Sequence, residues 1–376
     1  MIQHESIEST TDAARTTSTS RRSVLKAGAL SAAAIAGAGW AGAAPGHAAP
    51  PAASDLITRE VPRTGERLPA IGLGTFMVFD TLPGTDLGPL RSVLQRHWAG
   101  GGRAVDTSAL YGSAEQNLGR VARDLGLTER LFIADKVWAT GEHLWDDGHA
   151  ARSLTRSLQR LSRRKPFDLV QCHSLVNVDV LVPLFHAWKK EGRIRHLGVT
   201  HHESVYFPAL ASWIDRGELD TVQVHYSIAY RDAERQVLPA AAERGTAVLV
   251  NMALEKGRLH QLVQGRPLPG FARELGIQNW AQYFLKWVLA HPAVTCVLAG
   301  TSRADHAAEN VGAMRGPLPD AATRDRMHAH LAALPGFDQV TRTPWYPGRR
   351  YPGLVARSQA AVRARSPWWP SGPPPA

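Results

Sequence analysis

The sequence predicts an α/β fold, a (β/α)8 TIM barrel preceded by an N-terminal β-hairpin, and three observations lead there. Eight short apolar runs recur near residues 70–75, 103–107, 131–136, 167–173, 194–199, 220–225, 246–251 and 294–299, and such runs, bounded by turn signals, read as buried strands. Amphipathic stretches of helical period lie between them; strand alternating with helix argues for a parallel sheet, and eight units close it. Four side chains suited to proton chemistry, Asp106, Tyr111, Lys136 and His173, stand at or just past the ends of successive runs, where α/β barrels collect their catalytic groups. An open doubly wound sheet is the competing fold. Its dinucleotide fingerprint is absent, because Gly72-Leu73-Gly74-Thr75 lacks the third glycine and no acidic residue follows at a suitable distance.

Taken in order, residues 1–48 form a leader. Ser20-Arg21-Arg22-Ser23-Val24-Leu25-Lys26 precedes an Ala/Gly-rich stretch from Ala27 to Ala44, and Gly46-His47-Ala48 offers a small-x-small cleavage site. That order reads as a twin-arginine export signal, which predicts a periplasmic or secreted protein carried by the twin-arginine machinery. The stretch is too rich in Gly and Ala for firm membrane residence, so no stable membrane association is expected after cleavage. Residues 49–339 hold the barrel. A short hairpin spans Leu56 to Pro69, and helical stretches at Asp86 to Ala99, Ala114 to Leu125, Ala150 to Leu161, Val178 to Glu191 and Ala233 to Arg244 follow strands, most ending at Gly or a basic residue. The segment from Glu255 to Phe271 shows no assignable pattern. Residues 340–376 are rich in Pro and Arg, which predicts disorder; Trp345, Trp368 and Trp369 leave an aromatic lid over the substrate as the alternative.

The four strand-end groups suit one task, protonating a carbonyl oxygen while hydride arrives at its carbon. A free phenol, with a pKa of about 10, holds its proton too tightly near neutrality. An ammonium beside it favours the phenolate, and a carboxylate keeps the ammonium charged and aimed. Lys136 and Asp106 suit those roles for Tyr111, and a His173 N–H orients the carbonyl and stabilises the developing oxyanion. Singly, each residue also suits a blander role: Asp106 a helix cap, Lys136 a solvated strand end, Tyr111 packing, His173 a satisfied core histidine.

Asp-Thr-Ser-Ala-Leu-Tyr-Gly-Ser-Ala-Glu-Gln-Asn-Leu-Gly (106–119) resembles the aldo/keto reductase signature, and Ile-Gly-Leu-Gly-Thr-Phe (71–76) resembles that family's first barrel strand. The likeness continues through Gly-Val-Thr-His (198–201), Val-Gln-Val-His-Tyr-Ser (222–227) and Gly-Thr-Ser-Arg-Ala-Asp-His-Ala-Ala-Glu-Asn (300–310), and covers roughly residues 57–334. The resemblance implies that Asp106, Tyr111, Lys136 and His173 are a catalytic tetrad, with Tyr111 as general acid and hydride coming from NADP, or from NAD. It also implies that Thr200, His201 and Gln223 reach the nicotinamide amide, that Gly300, Thr301, Ser302 and Arg303 hold phosphate, and that Glu309 and Asn310 contact the adenine. Barrels bind phosphate at the loops after strands seven and eight. Three positions depart from the family pattern: Thr200-His201 replaces Ser-Asn, Asn251-Met252-Ala253 replaces a stacking Tyr, and His306 replaces an arginine for the 2′-phosphate, which leaves Arg303 as the main candidate.

Composition excludes other classes. With 376 residues and 44% hydrophobic content there is material for one large core, and the formal net charge of +10 gathers largely at the two ends. The tail from Val340 carries Arg342, Arg349, Arg350, Arg357, Arg363 and Arg365 and no acid, so nucleic acid is not the predicted partner. Cys172 and Cys296, each inside an apolar run, read as buried thiols. His201 and His202, adjacent on an extended strand, point to opposite faces and cannot chelate a metal together. Two functions stand beside each other: an exported carbonyl reductase or alcohol dehydrogenase acting on a small carbonyl substrate, and a nicotinamide-binding barrel that serves as a sensor or partner protein.

Overall fold

A computed structural model describes residues 56–138 and 147–365. The leader, residues 139–146 and the end of the tail from residue 366 lie outside the described residues. Strands β1 (Thr58–Val61) and β2 (Glu66–Pro69) pair antiparallel as the expected hairpin. Eight parallel strands close a barrel: β3 (Ile71–Gly74), β4 (Ala104–Asp106), β5 (Phe132–Val137), β6 (Phe167–Cys172), β7 (Ile194–His201), β8 (Thr221–His225), β9 (Ala247–Asn251) and β10 (Val294–Leu298), with β10 pairing β3. Around them run α1 (Gly88–Ala99), α2 (Ala114–Asp124), α3 (Gly148–Arg160), α4 (Val178–Lys190), α5 (Phe207–Asp215), α6 (Val237–Arg244), α7 (Arg258–Leu262), α8 (Trp280–Leu289), α9 (Ala304–Gly312) and α10 (Ala321–Ala332).

The two-residue period of a strand decides what each barrel strand offers inward and outward. Val105, Ile133, Val170, Val199, Val222, Val224, Val248 and Val250 belong to the outer core beneath the helices. Their neighbours Ala104, Phe132, Ala134, Leu169, Ala247, Leu249, Cys296 and Leu298 form a second, inner cluster. Val61 and Leu68 of the hairpin join that inner cluster and plug the N-terminal end of the barrel; full burial of such a side chain stabilises by about 1.5–3 kcal/mol. One rung further along the same inward parity, the side chains turn polar: Asp106, Lys136, Gln171, Thr200, Gln223 and Asn251. The apolar rungs thus fill the barrel and the polar rung lines its mouth. Both cysteines are buried free thiols.

The C-terminal segment corrects the expectation of disorder for residues 340–365. After α10 the chain makes a 3-10 turn over Phe337–Arg342 with Val340 buried, crosses the mouth of the barrel, and ends in α11 (Leu354–Arg365). Side-chain anchors at Arg258 and Asp80 hold this strap. Arg258 donates to the carbonyls of Thr341 (2.8 Å) and Thr343 (3.1 Å). The Asp80 carboxylate accepts from the Val355 N–H in the first turn of α11 at 2.7 Å and from the Ser113 N–H at 3.0 Å, so one buried acid ties the strap to the turn that follows Tyr111. Gly353 is required where the chain meets Asp80, since a Cβ there would come within 2.1 Å of the Asp80 carbonyl oxygen.

Candidate active site

At the C-terminal end of the barrel lies a cavity of about 800 Å³, inside the range of roughly 300–1,000 Å³ that small-molecule sites occupy. Asp106, Tyr111, Lys136 and His173 all face it. Lys136 Nζ donates to Asp106 Oδ1 at 2.6 Å and to the Thr107 carbonyl at 2.8 Å, with both side chains buried. Burial disfavours the Lys136 charge, but the Asp106 carboxylate and Tyr111 outweigh it and hold the ammonium above its ordinary pKa. The same ammonium lies 5.0 Å from the centre of the Tyr111 ring.

Tyr111 departs from the expected acidified phenol. Burial pushes it up to about 12, against the opposing pull of Lys136, so the phenol keeps its proton throughout the physiological range. Phe76 meets the Tyr111 ring edge-on at 5.0 Å, and His173 does so at 5.9 Å. Burial, helped by the charge of Lys136, pushes His173 down to about 3, which makes it a neutral imidazole near pH 7. Ser108 Oγ lies 3.1 Å from His173 Nδ1 and accepts from the Leu110 N–H at 3.2 Å. In the tautomer in which the Ser108 hydroxyl donates to Nδ1, the imidazole proton sits on Nε2 and is available as a donor. Ser108 was legible only as part of the run after Asp106, because nothing local signals a contact 65 residues away in sequence.

Residues 70–326, more than half of the chain, match the model of the aldo/keto reductase family. The chain belongs to the aldo/keto reductase family. Over 165 residues it is 27% identical to the NADH-specific methylglyoxal reductase of Escherichia coli strain K12, a match that covers 37% of this chain and 50% of that enzyme's length. An uncharacterized oxidoreductase of Schizosaccharomyces pombe is 30% identical over 228 residues, 56% of this chain and 68% of that one. A crystal structure of an aldo/keto reductase from Klebsiella pneumoniae in complex with NADP and acetate superposes with a TM-score of 0.61 at 27% identity, covering 72% of this chain and 95% of the other.

In this aldo/keto reductase, Thr200, Gln223, Gly300, Thr301, Glu309 and Asn310, the residues singled out for the cofactor, line the cavity. His201 does not. Val199 and His201 share outward parity, so when Thr200 faces in, His201 faces out; its Nδ1 accepts from the Glu203 N–H at 3.1 Å and its ring lies 3.9 Å from Tyr206. His202, past the end of β7, lines the cavity, and its ring stacks on that of His201 with ring centres 5.7 Å apart. Ser302 and Arg303 also lie outside the cavity lining, and Arg303 is an exposed residue ion-paired to Asp305. The lining also includes Lys256 from the loop after β9, His260 and Gln261 of α7, and Tyr346, Arg349 and Trp345 of the strap, the last of which the sequence offered as an aromatic lid.

The aldo/keto reductase site fits a nicotinamide cofactor on its own chemistry. Asn251 Oδ1 is buried in the cavity wall without a hydrogen-bond partner, and such a group calls for a polar ligand. Gly300 stands 3.0 Å, measured from an added Cβ, from the Gly74 carbonyl, so a side chain there would crowd the turn that leads into α9. The backbone N–H groups of that helix start suit a phosphate.

Proposed function

We propose that this protein is an exported, NADP-dependent oxidoreductase that reduces an aldehyde or ketone to the alcohol, with Tyr111 as general acid. The observation that carries the reading is the convergence of a protonated Tyr111, a charged Lys136 held by Asp106, and a neutral His173 on one wall of the cavity. The Klebsiella pneumoniae relative in complex with NADP supports the choice of cofactor.

The nicotinamide, when bound, supplies the hydride that forms the new bond at the carbonyl carbon. The carbonyl oxygen accepts from His173 Nε2–H, which fixes the face presented and stabilises negative charge on that oxygen. Tyr111 Oη then gives its proton to the oxygen. The phenolate left behind lies beside Lys136, and Asp106 prevents Lys136 from losing its own proton first. In this reading Thr200, Gln223 and Asn251 bind the nicotinamide carboxamide, while Gly300, Thr301, Glu309 and Asn310 take phosphate and adenosine. Tyr111→Phe removes the proton and little else, so it is expected to lower reductase turnover on a simple aldehyde by roughly 10² to 10⁴-fold with cofactor affinity nearly intact. Retention of a third of the rate would refute the assignment.

Export through the twin-arginine route is part of the proposal. That route carries folded proteins, so a cofactor gained in the cytoplasm leaves with the enzyme. Replacing Arg21 and Arg22 by Lys keeps the charge and removes only the paired guanidinium groups. The expected outcome is uncleaved protein retained in the cytoplasm; normal secretion would point to a general secretory signal instead.

A further inference from the structure

We propose that Lys256 binds an anionic oxygen group on the substrate, so that the preferred substrates are aldehydes or ketones carrying a carboxylate or phosphate a few bonds from the carbonyl. This rests on the reductase reading above and specifies the substrate for the same cavity.

Lys256 follows β9 in a loop whose shape is fixed from below. Glu255 and Lys256 both adopt left-handed backbone angles, φ 49° and 48°, a conformation that non-glycine residues hold only when their surroundings enforce it. Here the Glu255 carboxylate enforces it: Oε1 lies 2.6 Å from both His225 Nε2 and Ser227 Oγ, and Oε2 receives the Arg258 guanidinium. From above, the Lys256 carbonyl accepts from the Tyr346 N–H of the strap at 2.9 Å. The side chain is thereby sent into the cavity.

There the amine meets ring faces. Lys256 Nζ lies 3.3 Å from the centre of the Trp345 ring, 4.5 Å from that of Phe76 and 5.6 Å from that of Tyr346. Aromatic faces hold a cation in place without neutralising it. Glu255 cannot serve as counter-ion, being committed to His225, Ser227 and Arg258, and no other carboxylate of the described residues forms an ion pair with Lys256. Burial and the nearby Arg258 accordingly push the amine down to about 7. A buried cation with no anion of its own is completed by a ligand that brings one. Phe76 spans the gap to the chemistry, since it touches both the Lys256 amine and the Tyr111 ring, the latter at 5.0 Å. A short substrate with its carbonyl at Tyr111 and His173 therefore reaches Lys256 with its far end.

Lys256→Gln and Lys256→Arg test this in the full-length protein, with 4-oxobutanoate against butanal and glyceraldehyde 3-phosphate against glyceraldehyde. In Lys256→Gln, kcat/KM on at least one charged member is expected to fall roughly 10- to 100-fold, through KM, while the neutral partners stay within about twofold and Lys256→Arg restores most of the loss. Which pair responds tells carboxylate from phosphate. The wild-type KM for the charged aldehyde should also climb as pH rises through the Lys256 range, whereas that for butanal should not. Of the groups facing this amine, His202 from the end of β7 is pushed down to about 4 by burial, Tyr346 of the strap is pushed above the usual phenol range, Glu255 is held low by its hydrogen bonds, and the Arg258 guanidinium is ion-paired with Glu255, so the pH dependence expected near 7 is that of the Lys256 charge. An equal fall on charged and neutral substrates, or no change on either, overturns the proposal. So does a tenfold rise in the cofactor Kd, measured by tryptophan quenching without substrate, because it would give Lys256 to the cofactor's phosphates. Calorimetric binding of 4-oxobutanoate to both proteins needs no turnover, and separates failure of this assignment from failure of the reductase reading, which wild-type inactivity on all four aldehydes would signal.

Discussion

The two ends of the barrel are built from the same strands and differ in how their polar groups are satisfied. At the closed end, Asp168 accepts from Arg163 at 2.6 Å, from Arg195 at 2.8 Å and from the Ile133 N–H at 2.8 Å, while Glu66 of the hairpin takes Arg195 and His196, each at 2.7 Å. Burial raises the Glu66 pKa, yet the hydrogen bonds from His196 and Arg195 outweigh it and hold the carboxyl below its ordinary value. At the open end, Asn251 Oδ1 has no partner, the Lys256 amine has only ring faces, and Tyr111 keeps its proton in a buried site. The closed-end carboxylates are multiply paired, which locks one conformation, although His196 Nδ1 beside them lacks a hydrogen-bond partner; the open-end groups line a cavity that a ligand can enter. The closed end carries the fold and the open end the chemistry, as barrels of this kind divide them.

The largest effect that could break this division is Asp168→Asn, the closed-end counterpart of Tyr111→Phe. It leaves two guanidinium groups facing a neutral amide, one of them fully buried, and removing one partner of such a pair destabilises by about 3–5 kcal/mol. The expected result is a much lower urea midpoint with turnover per folded molecule unchanged. If Asp168→Asn instead lowered kcat without moving the midpoint, the two ends would not be separable.

A second, smaller effect sharpens the same contrast through pH. His97, at the end of α1, is fully buried against the start of β4 with Nε2 3.2 Å from the Ala104 carbonyl, and burial pushes it down to about 4 from an ordinary 6.5. Above the unfolded value both states are neutral and the histidine adds no pH dependence. As pH falls below it, the unfolded chain binds the proton first, so stability is lost progressively until the folded value is reached. At pH 5 the loss is about 2 kcal/mol from this residue. His97→Gln keeps a donor for Ala104 and cannot titrate, so its stability between pH 7 and 5 should fall less than the wild type's by that amount. Parallel profiles would mean that His97 is not the titrating group.

The sequence made the two ends unequally legible. The eight barrel strands stood out because both faces of a parallel strand are buried, which leaves continuous apolar runs, and the tetrad stood out because each member follows such a run. His201 was misplaced because a resemblance assigned neighbouring residues to one ligand, while the two-residue period lets only Thr200 face inward. The strap was hidden for another reason. Its Pro and Arg content reads as disorder, and its anchors are remote: Val355 meets Asp80 across 275 positions of chain, and Arg258 meets Thr341 across 83. Neither contact leaves a local pattern. Lys256 was lost with the strap that covers it, since without Trp345 and Tyr346 the loop after β9 shows only a charged Glu-Lys-Gly-Arg.

The smallest expected effect concerns cofactor choice, where the strap and the barrel offer rival cations for a 2′-phosphate. Arg303 stands at the start of α9, as the sequence reading required, but it is exposed and already paired with Asp305. Arg349 of the strap lines the cavity, and its charge bears on His260 and on His306, the latter in the position where a phosphate-binding arginine was looked for. No carboxylate of the described residues forms an ion pair with Arg349, whereas Arg303 must first leave Asp305. Arg349→Ala should therefore weaken NADP binding on the order of tenfold and leave NAD binding nearly unchanged, with Arg303→Ala doing less. Equilibrium titration of each variant with both cofactors reads the ratio directly, and a ratio is immune to general damage at the mouth of the barrel. If Arg303→Ala alone shifts it, recognition of the phosphate belongs to the barrel and the strap serves only the substrate side.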